Sequence, residues 1–171
     1  MIFISGVHAV GKGYFCNMVK DKLGIQSYSA STLISEKKHA GFNPDKLIPD
    51  IDDNQRYLLA AVDELRKSEK NFILDGHFCL LNVNGEVTRI SLPTFTTLNP
   101  EGIILLTEDP EIIARRRKER DGKIVSPQSI EKFQSEETAY AKEVSGLIGA
   151  RLFISHGAQG LASAIDFIKS F

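Results

Sequence analysis

The sequence has few cysteines, no long apolar run and no excess of charge of either sign. Its two cysteines, Cys16 and Cys79, are isolated and lack the spacing of metal ligands. They therefore predict buried thiols in a reducing compartment rather than a disulfide. No apolar run approaches the ~20 residues of a membrane span, and the N-terminus has no basic leader segment. We expect a cytoplasmic protein without a membrane contact.

Charge and composition exclude further classes of protein. Lys and Arg number 21 and Asp and Glu 22, a net charge of −1, so no general nucleic-acid surface is expected. The composition is 42% hydrophobic and 25% charged, which is typical of a globular protein, and 171 residues suit one domain, 1–171. The guanine-binding motif N-K-x-D is absent, which argues against a GTP-binding switch.

A phosphate-binding motif follows the first predicted strand. Residues 1–5 form a short apolar run, and Gly6, Gly11 and Lys12 then stand at the spacing G-x-x-x-x-G-K. Glycines let backbone N–H groups converge on a phosphate, and the positive end of the predicted helix 12–23 faces the same anion. Lys12 would bridge the outer phosphates. Gly13 replaces the hydroxyl residue that usually ligates Mg²⁺ directly.

Apolar runs alternate with amphipathic segments along the rest of the chain. Strands are predicted at 1–5, 25–29, 71–74, 102–107 and 151–155, which favours a five-stranded parallel sheet in a three-layer α/β/α fold. A ligand should lie beyond the carboxyl ends of these strands. Residues 80–92 predict an inserted β-hairpin with a type I′ turn at Asn84-Gly85. Residues 43–50 predict a loop, between a helix capped by Ser31 and one opened by a capping box at Asp52.

Two further groups of residues could act on a polyphosphate. Asp75 ends the strand 71–74, a position from which a carboxylate reaches the Mg²⁺ shell, although Asp-Gly is also a common turn. Arg116 and Arg120 share one face of a basic helix before a glycine-containing loop. They could stabilise a transferring phosphoryl group, and the alternative is a solvated basic helix end.

The motifs GVHAVGKG, YSASTLISE, LDGHF and RRRKER together resemble the adenylate kinase-like nucleoside monophosphate kinases. They correspond to the P-loop, the substrate helix, the D-G turn and the lid of that family. A short lid also makes the chain similar to archaeal-type adenylate kinases and shikimate kinases. The resemblance implies a P-loop fold with acceptor-side helices at 31–68 and a lid at 115–127. Adenylate kinases also tolerate G-K-G, holding Mg²⁺ mainly through waters.

The resemblance also implies roles for particular residues, with ATP and Mg²⁺ as cofactors. Asp75 would order Mg²⁺, Arg116 and Arg120 would be lid arginines, and the turn beginning at His156 and Gly157 would border the donor adenine. The residues implied to hold the donor phosphates are Gly6, His8, Ala9, Val10, Gly11, Lys12, Gly13 and Tyr14.

The acceptor side departs from the family. Adenylate kinases carry one arginine in the substrate helix and another just after the D-G turn, whereas this chain has lysines and His77 there. Both absences weaken recognition of a nucleotide acceptor, because arginine supplies bidentate phosphate contacts. The predicted acceptor-side residues are Ser31, Arg56, His77 and Phe78. A hydroxyl acceptor would instead need a carboxylate as base, for which the candidates are Asp50, Asp52, Asp53 and Asp75.

Two hypotheses of different kinds follow. The first is an ATP-dependent kinase for a small-molecule acceptor, with a nucleotide or nucleoside first among the candidates. The second is a nucleotide-switched ATPase that acts on a protein partner and has no acceptor. A pocket sealed by the hairpin would favour the second, and an open pocket lined by Arg56, Asp75 and His77 would favour the first.

Overall fold

A computed structural model describes residues 1–38, 47–48 and 51–171 of the chain, without the side chains of 47, 48 and 52. The strands are β1 (Ile2–Ser5), β2 (Gln26–Ser29), β3 (Leu47–Ile48), β4 (Phe72–Asp75), β5 (Cys79–Asn82), β6 (Val87–Arg89), β7 (Gly102–Thr107) and β8 (Arg151–His156). The helices are α1 (Lys12–Leu23), α2 (Ala30–Lys38), α3 (Ile51–Ser68), α4 (Leu92–Leu98), α5 (Pro110–Asp121), α6 (Pro127–Ile148) and α7 (Leu161–Lys169), with a 3₁₀ turn at Ala158–Gly160.

The main sheet has five parallel strands in the order β2-β4-β1-β7-β8. All four residues of β1 and five of the six in β7 are buried, because these strands are apolar on both faces and lie in the middle of the sheet. Ile4 of β1 is in register with Asp75 of β4, so the carboxyl ends of these two strands meet at one edge. The predicted three-layer parallel fold is confirmed.

Local capping residues determine where helices α5 and α6 begin and where α5 ends. Asp109 caps α5 by accepting a hydrogen bond from the Glu111 amide at 2.8 Å, and Ser126 caps α6 by accepting one from the Ser129 amide at 3.1 Å. Gly122 ends α5 in the left-handed conformation that a residue without Cβ adopts readily. These caps fix where the segment 122–126 leaves α5 and enters α6.

Three predictions on the acceptor side of the fold are wrong in detail. Helix α2 begins at Ala30, so Ser31 lies inside its first turn and is not the cap, and α3 begins at Ile51, so Asp52 is not its cap either. Leu47–Ile48, predicted within a loop, pair with β5 as a short parallel strand. That pairing is a long-range contact, so no local pattern reveals it. The rest of the predicted loop, 43–46 and 49–50, lies outside the described residues.

The inserted hairpin is present, but its turn differs from the prediction. Strands β5 and β6 pair antiparallel and form a second sheet with β3. A type I′ turn needs positive φ at both central residues, and of the pair Asn84-Gly85 only Gly85 has it, at 76°. Asn82 organises the turn instead, because its Oδ1 accepts hydrogen bonds from the amides of Asn84 at 2.9 Å and Glu86 at 3.0 Å.

Both cysteines are free and buried, as predicted. Burial raises the pKa of Cys16 to about 11 and that of Cys79 to about 12, so neither thiol is activated as a nucleophile. Among the described residues, no helix combines the length and apolar character that crossing a membrane would require.

Candidate active site

A cavity of about 880 Å³ lies at the carboxyl ends of β1, β2 and β4. We define its phosphate end as the lining P-loop residues 7–9 and 11–14 with Asp75, His77 and the lid residues Arg116, Glu119, Arg120 and Asp121. We define its acceptor end by the lining side chains of α2, α3, α4 and the hairpin. The residues that line the acceptor end are Ala30, Ser31, Ile34, Asn54, Gln55, Leu58, Leu80, Ile90, Thr94, Phe95 and Leu98.

The backbone of the P-loop is held in a conformation that requires glycine at two positions. Gly6 has φ 143°, and a Cβ added there would stand 2.5 Å from the carbonyl oxygen of Leu106. Gly11 has φ 116° and precedes the first residue of α1. Ala9 also adopts a positive φ, 67°, which is unusual for a residue with a side chain. The loop therefore lies at the positive end of α1, where backbone N–H groups and the helix dipole can together bind an anion.

Lys12 lies at the centre of the phosphate end. Its ammonium donates to the carbonyl oxygen of Gly6 at 2.6 Å and lies 3.3 Å from Nε2 of His77 and 3.8 Å from Oδ1 of Asp75. Burial lowers the pKa of Lys12, and the negative charge of Asp75 partly opposes that shift. His77 also stacks obliquely on His8, with ring centroids 4.5 Å apart.

Asp75 is the carboxylate that β4 delivers to the phosphate end. Burial raises its pKa, and the neighbouring Lys12 ammonium opposes that shift. Among the described residues no three His, Cys, Asp or Glu side chains cluster to hold a metal ion. A single carboxylate beside a phosphate loop still fits Mg²⁺, which keeps several waters and takes its other ligands from substrate phosphates. An added Cβ at Gly13 would meet no atom within 4 Å, so open space stands where the usual hydroxyl would be.

Both predicted lid arginines line the cavity, and both contact groups of their own chain. Arg116 donates from Nη1 to the carbonyl oxygen of Val10 at 3.0 Å and from Nη2 to Glu108 at 3.2 Å. Arg120 makes two hydrogen bonds of 2.7 Å to the carboxylate of Asp121. Arg116 is thus attached directly to the P-loop, whereas Arg120 is paired within the lid.

A second cavity of about 390 Å³ lies on the other side of the P-loop. Its lining includes Tyr14, Arg116 and Gly157, so the turn after β8 borders it. Tyr14 is 69% exposed and lines both cavities. His156, predicted at the donor adenine, does not line either cavity, and its Nδ1 lies 3.1 Å from the hydroxyl of Thr107.

The structure brings two of the four predicted acceptor-side residues to the cavity and places the other two elsewhere. Ser31 and His77 line it. Arg56 does not: its side chain is 85% exposed and lies 3.8 Å from Asp53, because it follows Gln55 on α3 and faces away from the cavity. Phe78 does not either: it is fully buried and stacks on Phe95, since successive residues of the turn after β4 point to opposite sides.

The structure also narrows the set of carboxylates that could act as base for a hydroxyl acceptor. Asp53 pairs with the ammonium of Lys38 at 3.1 Å and does not line the cavity. Asp50 lies outside the described residues, and the side chain of Asp52 is not described. Asp75 is the candidate that the described part of the chain places at the cavity.

Glu137 of α6 is a buried carboxylate that sequence reasoning missed. It accepts hydrogen bonds from the hydroxyl of Ser5 and from the amides of Phe78 at 2.9 Å and Cys79 at 2.6 Å. It also lies 3.9 Å from Nδ1 of His77. Burial outweighs these hydrogen bonds and raises its pKa. Glu137 thereby joins the end of β1, the turn after β4 and the hairpin.

A sequence signal for Glu137 exists. The buried face of α6 includes Phe133, Tyr140 and Val144, and Glu137 stands on that same face at helical spacing. A charged residue in the middle of an apolar stripe predicts a buried polar contact.

The parallel sheet, the glycine loop with its lysine and the aspartate at the end of a neighbouring strand together define a P-loop nucleotide-binding protein. The chain belongs to the AAA domain family, whose profile matches residues 5–134. This match confirms the predicted relationship to the adenylate kinase-like P-loop family.

A curated relative and two solved structures agree with that family. A Methanocaldococcus jannaschii protein named "Putative adenylate kinase" is 29% identical over 122 residues, which cover 70% of this chain and 58% of that protein. The chain thus spans less than two thirds of that relative. A shikimate kinase from Acinetobacter baumannii solved with shikimate has a TM-score of 0.59 at 15% identity, covering 99% of this chain and 90% of that one. A gluconokinase from Sinorhizobium meliloti 1021 has a TM-score of 0.56 at 16% identity, covering 96% and 86%. Both structures share the fold.

Proposed function

We propose that this protein is an ATP-dependent kinase that transfers the γ-phosphoryl group of ATP to a small acceptor, with a nucleotide or nucleoside first among the candidates. The observation that carries the proposal is that one cavity extends from the P-loop to the acceptor end between α2, α3, α4 and the hairpin. A protein that only hydrolysed ATP would need the phosphate end alone. The relative named as an adenylate kinase supports the same interpretation.

In this proposal the donor phosphates lie against the amides of the P-loop. Lys12 compensates the charge of the outer phosphates, and Asp75 holds Mg²⁺ through its carboxylate. The bound metal ion supplies charge neutralisation at the phosphate oxygens. Arg116 and Arg120 stabilise the equatorial oxygens of the transferring group once Arg120 exchanges Asp121 for phosphate.

The transfer is an in-line displacement. An acceptor oxygen forms a bond to the γ-phosphorus as the bond to the β–γ bridging oxygen breaks, and ADP leaves with that electron pair. When the acceptor is a hydroxyl compound, its proton passes to water, because Asp75, the described candidate carboxylate at the cavity, is assigned to Mg²⁺.

The second candidate, a nucleotide-switched ATPase for a protein partner, draws support from one observation. Arg56 faces solvent, so it offers nothing to an acceptor in the cavity. The same side chain would be available to a protein partner. Against this candidate, the hairpin lines the cavity through Leu80 without sealing it.

The two candidates are separated by measuring ADP formation from MgATP with and without a panel of acceptors. The kinase proposal expects at least one acceptor to raise the rate above the no-acceptor rate and to appear as a phosphorylated product. A rate that no acceptor changes, in a protein that binds MgATP by calorimetry, would contradict the kinase and favour the switch. Absence of MgATP binding would contradict both.

A further inference from the structure

We infer that Glu108 is a positioning residue for phosphoryl transfer, which holds the guanidinium group of Arg116 against the P-loop before the donor binds. This inference rests on the proposed function and adds a residue that neither the P-loop motif nor the lid motif contains. It is carried by a chain of hydrogen bonds that runs from α6 through the end of β7 and through α5 to the P-loop.

Glu108 follows the last residue of β7, and its neighbours fix both its backbone and its side chain. The residue is 8% exposed. Gln134 of α6 accepts a hydrogen bond from the Glu108 amide at 3.0 Å and donates one to the Glu108 carbonyl oxygen at 2.9 Å. In the carboxylate, Oε1 accepts from the amide of Asp109 at 3.0 Å and Oε2 accepts from Arg116 at 3.2 Å. The direction in which this carboxylate points is therefore determined by three surrounding segments of the chain.

Arg116 extends from α5 to the P-loop. Its Nη1 donates to the carbonyl oxygen of Val10 at 3.0 Å, while its Nη2 donates to Glu108. The same Nη1 would lie 3.9 Å from a Cβ added at Gly11, so the guanidinium group packs closely against the loop. Arg116 lines both the main cavity and the second cavity. In the proposed function, this cation therefore lies beside the donor phosphates that the P-loop binds.

A fixed guanidinium group is worth more to phosphoryl transfer than a mobile one. The arginine side chain has several rotatable bonds, and ordering it only in the transition state would cost conformational entropy at that moment. Hydrogen bonds from two different nitrogens of Arg116 remove this freedom when the protein folds. A donor that is already in place stabilises the charge of the transferring group without further reorganisation.

The other lid arginine is held differently. Arg120 makes its two 2.7 Å hydrogen bonds to Asp121, the next residue along the same helix end, and its side chain is 56% exposed. That pair lies within the lid and does not attach the arginine to the P-loop. We therefore expect Arg116 to be in position before MgATP binds and Arg120 to be recruited afterwards.

The charge of Glu108 distinguishes positioning from a simple electrostatic effect. Its carboxylate lines the second cavity beside the P-loop, so removing the negative charge should by itself favour an anionic donor. Positioning predicts that the rate falls instead. In Glu108→Ala, kcat should fall about tenfold, because a small displacement of a catalytic group is costly, whereas the Kd of MgATP should stay within about threefold of the wild type.

A double-mutant cycle on Glu108 and Arg116 tests the inference. The rate is ADP formation at saturating MgATP, measured with the acceptor that the panel identifies and, if it identifies none, without an acceptor. Arg116→Ala should lower the rate at least as much as Glu108→Ala does. In the double variant, the change at Glu108 should lower the rate by about twofold at most, because Glu108 acts through Arg116. A further loss of about tenfold in the double variant, or a wild-type kcat in a folded Glu108→Ala, would overturn the inference.

The matched control is Glu111→Ala, at an exposed position in the first turn of α5, which should change neither kcat nor the Kd of MgATP. Thermal melts verify folding. If Glu108→Ala does not fold, the same cycle is run with Glu108→Gln, which weakens the contact with Arg116 and should lower kcat about threefold, but not in the Arg116→Ala background. An acceptor panel without effect contradicts the kinase proposal, and the cycle then tests Glu108 on the rate without an acceptor. If MgATP does not bind to the wild type, both proposals fail.

Discussion

The two ends of the cavity are built on different principles. The phosphate end combines a glycine-constrained loop with charged side chains, and most of it comes from residues 7–14. The acceptor end is an apolar wall with neutral amides, assembled from α2, α3, α4 and the hairpin. A phosphate can be recognised by backbone amides and a few charges in one short segment. An apolar wall recognises its ligand by shape, which requires several elements to converge.

The largest expected effect comes from Glu137, which joins the end of β1 to the turn after β4 and the hairpin behind the phosphate end. In Glu137→Ala, the hydroxyl of Ser5 and the amides of Phe78 and Cys79 lose their acceptor inside the protein. Because each unsatisfied buried donor is costly, the free energy of unfolding should fall by about 3–5 kcal/mol. Denaturant unfolding measures it. Glu136→Ala removes an exposed carboxylate one residue away and should cost less than about 1 kcal/mol. Equal losses in both variants would contradict the bridging role.

Lys12→Ala should impair the function of the phosphate end without altering the side chains of the acceptor end. Removal of one preorganised cation should lower the rate of phosphoryl transfer about 10²–10³-fold and weaken MgATP binding. Enzyme-coupled ADP assays and calorimetry measure the two effects. Lys20→Ala, at an exposed position of the same helix, is the control and should change neither. Unchanged MgATP binding in Lys12→Ala would refute the assignment of the P-loop.

The pH dependence of the free energy of unfolding should reveal the burial of the Glu137 carboxyl group beside the end of β1 and the turn after β4. Its pKa is raised above the ordinary value of 4.5, so the folded protein binds this proton more tightly than the unfolded chain. Its contribution to stability is therefore complete below pH 4.5 and is lost as pH rises through the folded pKa.

Denaturant unfolding of the wild type and Glu137→Gln over a pH series isolates this contribution, because glutamine does not titrate. The stability of the wild type relative to the variant should decline as pH rises from 4.5. A relative stability that increases with pH would mean that the three hydrogen bonds hold the ionised form and that folding lowers the pKa of Glu137 instead of raising it.

The smallest expected effect concerns the Mg²⁺ requirement of the phosphate end. Gly13→Ser places a hydroxyl where an added Cβ meets no atom within 4 Å. A direct oxygen ligand should lower the Mg²⁺ concentration for half-maximal activity by about two- to fivefold, without changing the KM of the acceptor. Gly146→Ser on α6 is the matched control, since an added Cβ there also meets nothing. The same Mg²⁺ response in both variants would count against Mg²⁺ lying beside Gly13.

Sequence reasoning succeeded where the cause of a structure is local. The loop from Gly6 to Lys12 precedes α1 as its glycine spacing indicates, because that spacing acts within one short segment. Buried strands such as β7 are continuous apolar runs, so their position and length are visible in the sequence. The hairpin was also predicted correctly, because its two strands flank a local turn signal. Its turn type was predicted wrongly, because the side chain of Asn82 accepts hydrogen bonds from two amides of the turn.

The acceptor end was predicted less well because its residues are close only in three dimensions. Arg56 and Gln55 are neighbours in sequence, and the packing of α3 alone decides that Gln55 faces the cavity and Arg56 faces solvent. Phe78 was placed at the acceptor, and its fully buried contact with Phe95 follows from the fold of the turn after β4. Glu137 lies 132 residues from its partner Ser5, a separation at which no local pattern specifies pairing.

The sequence by itself determined the parallel sheet and the loop that precedes α1, because apolar strand content and glycine conformation are properties of short segments. Only the tertiary structure decided which side chains line the acceptor end, which cations pair with carboxylates and which buried carboxylate joins β1 to the turn after β4. The physical reason is that burial and charge pairing depend on distant elements meeting, and a linear motif does not contain that information.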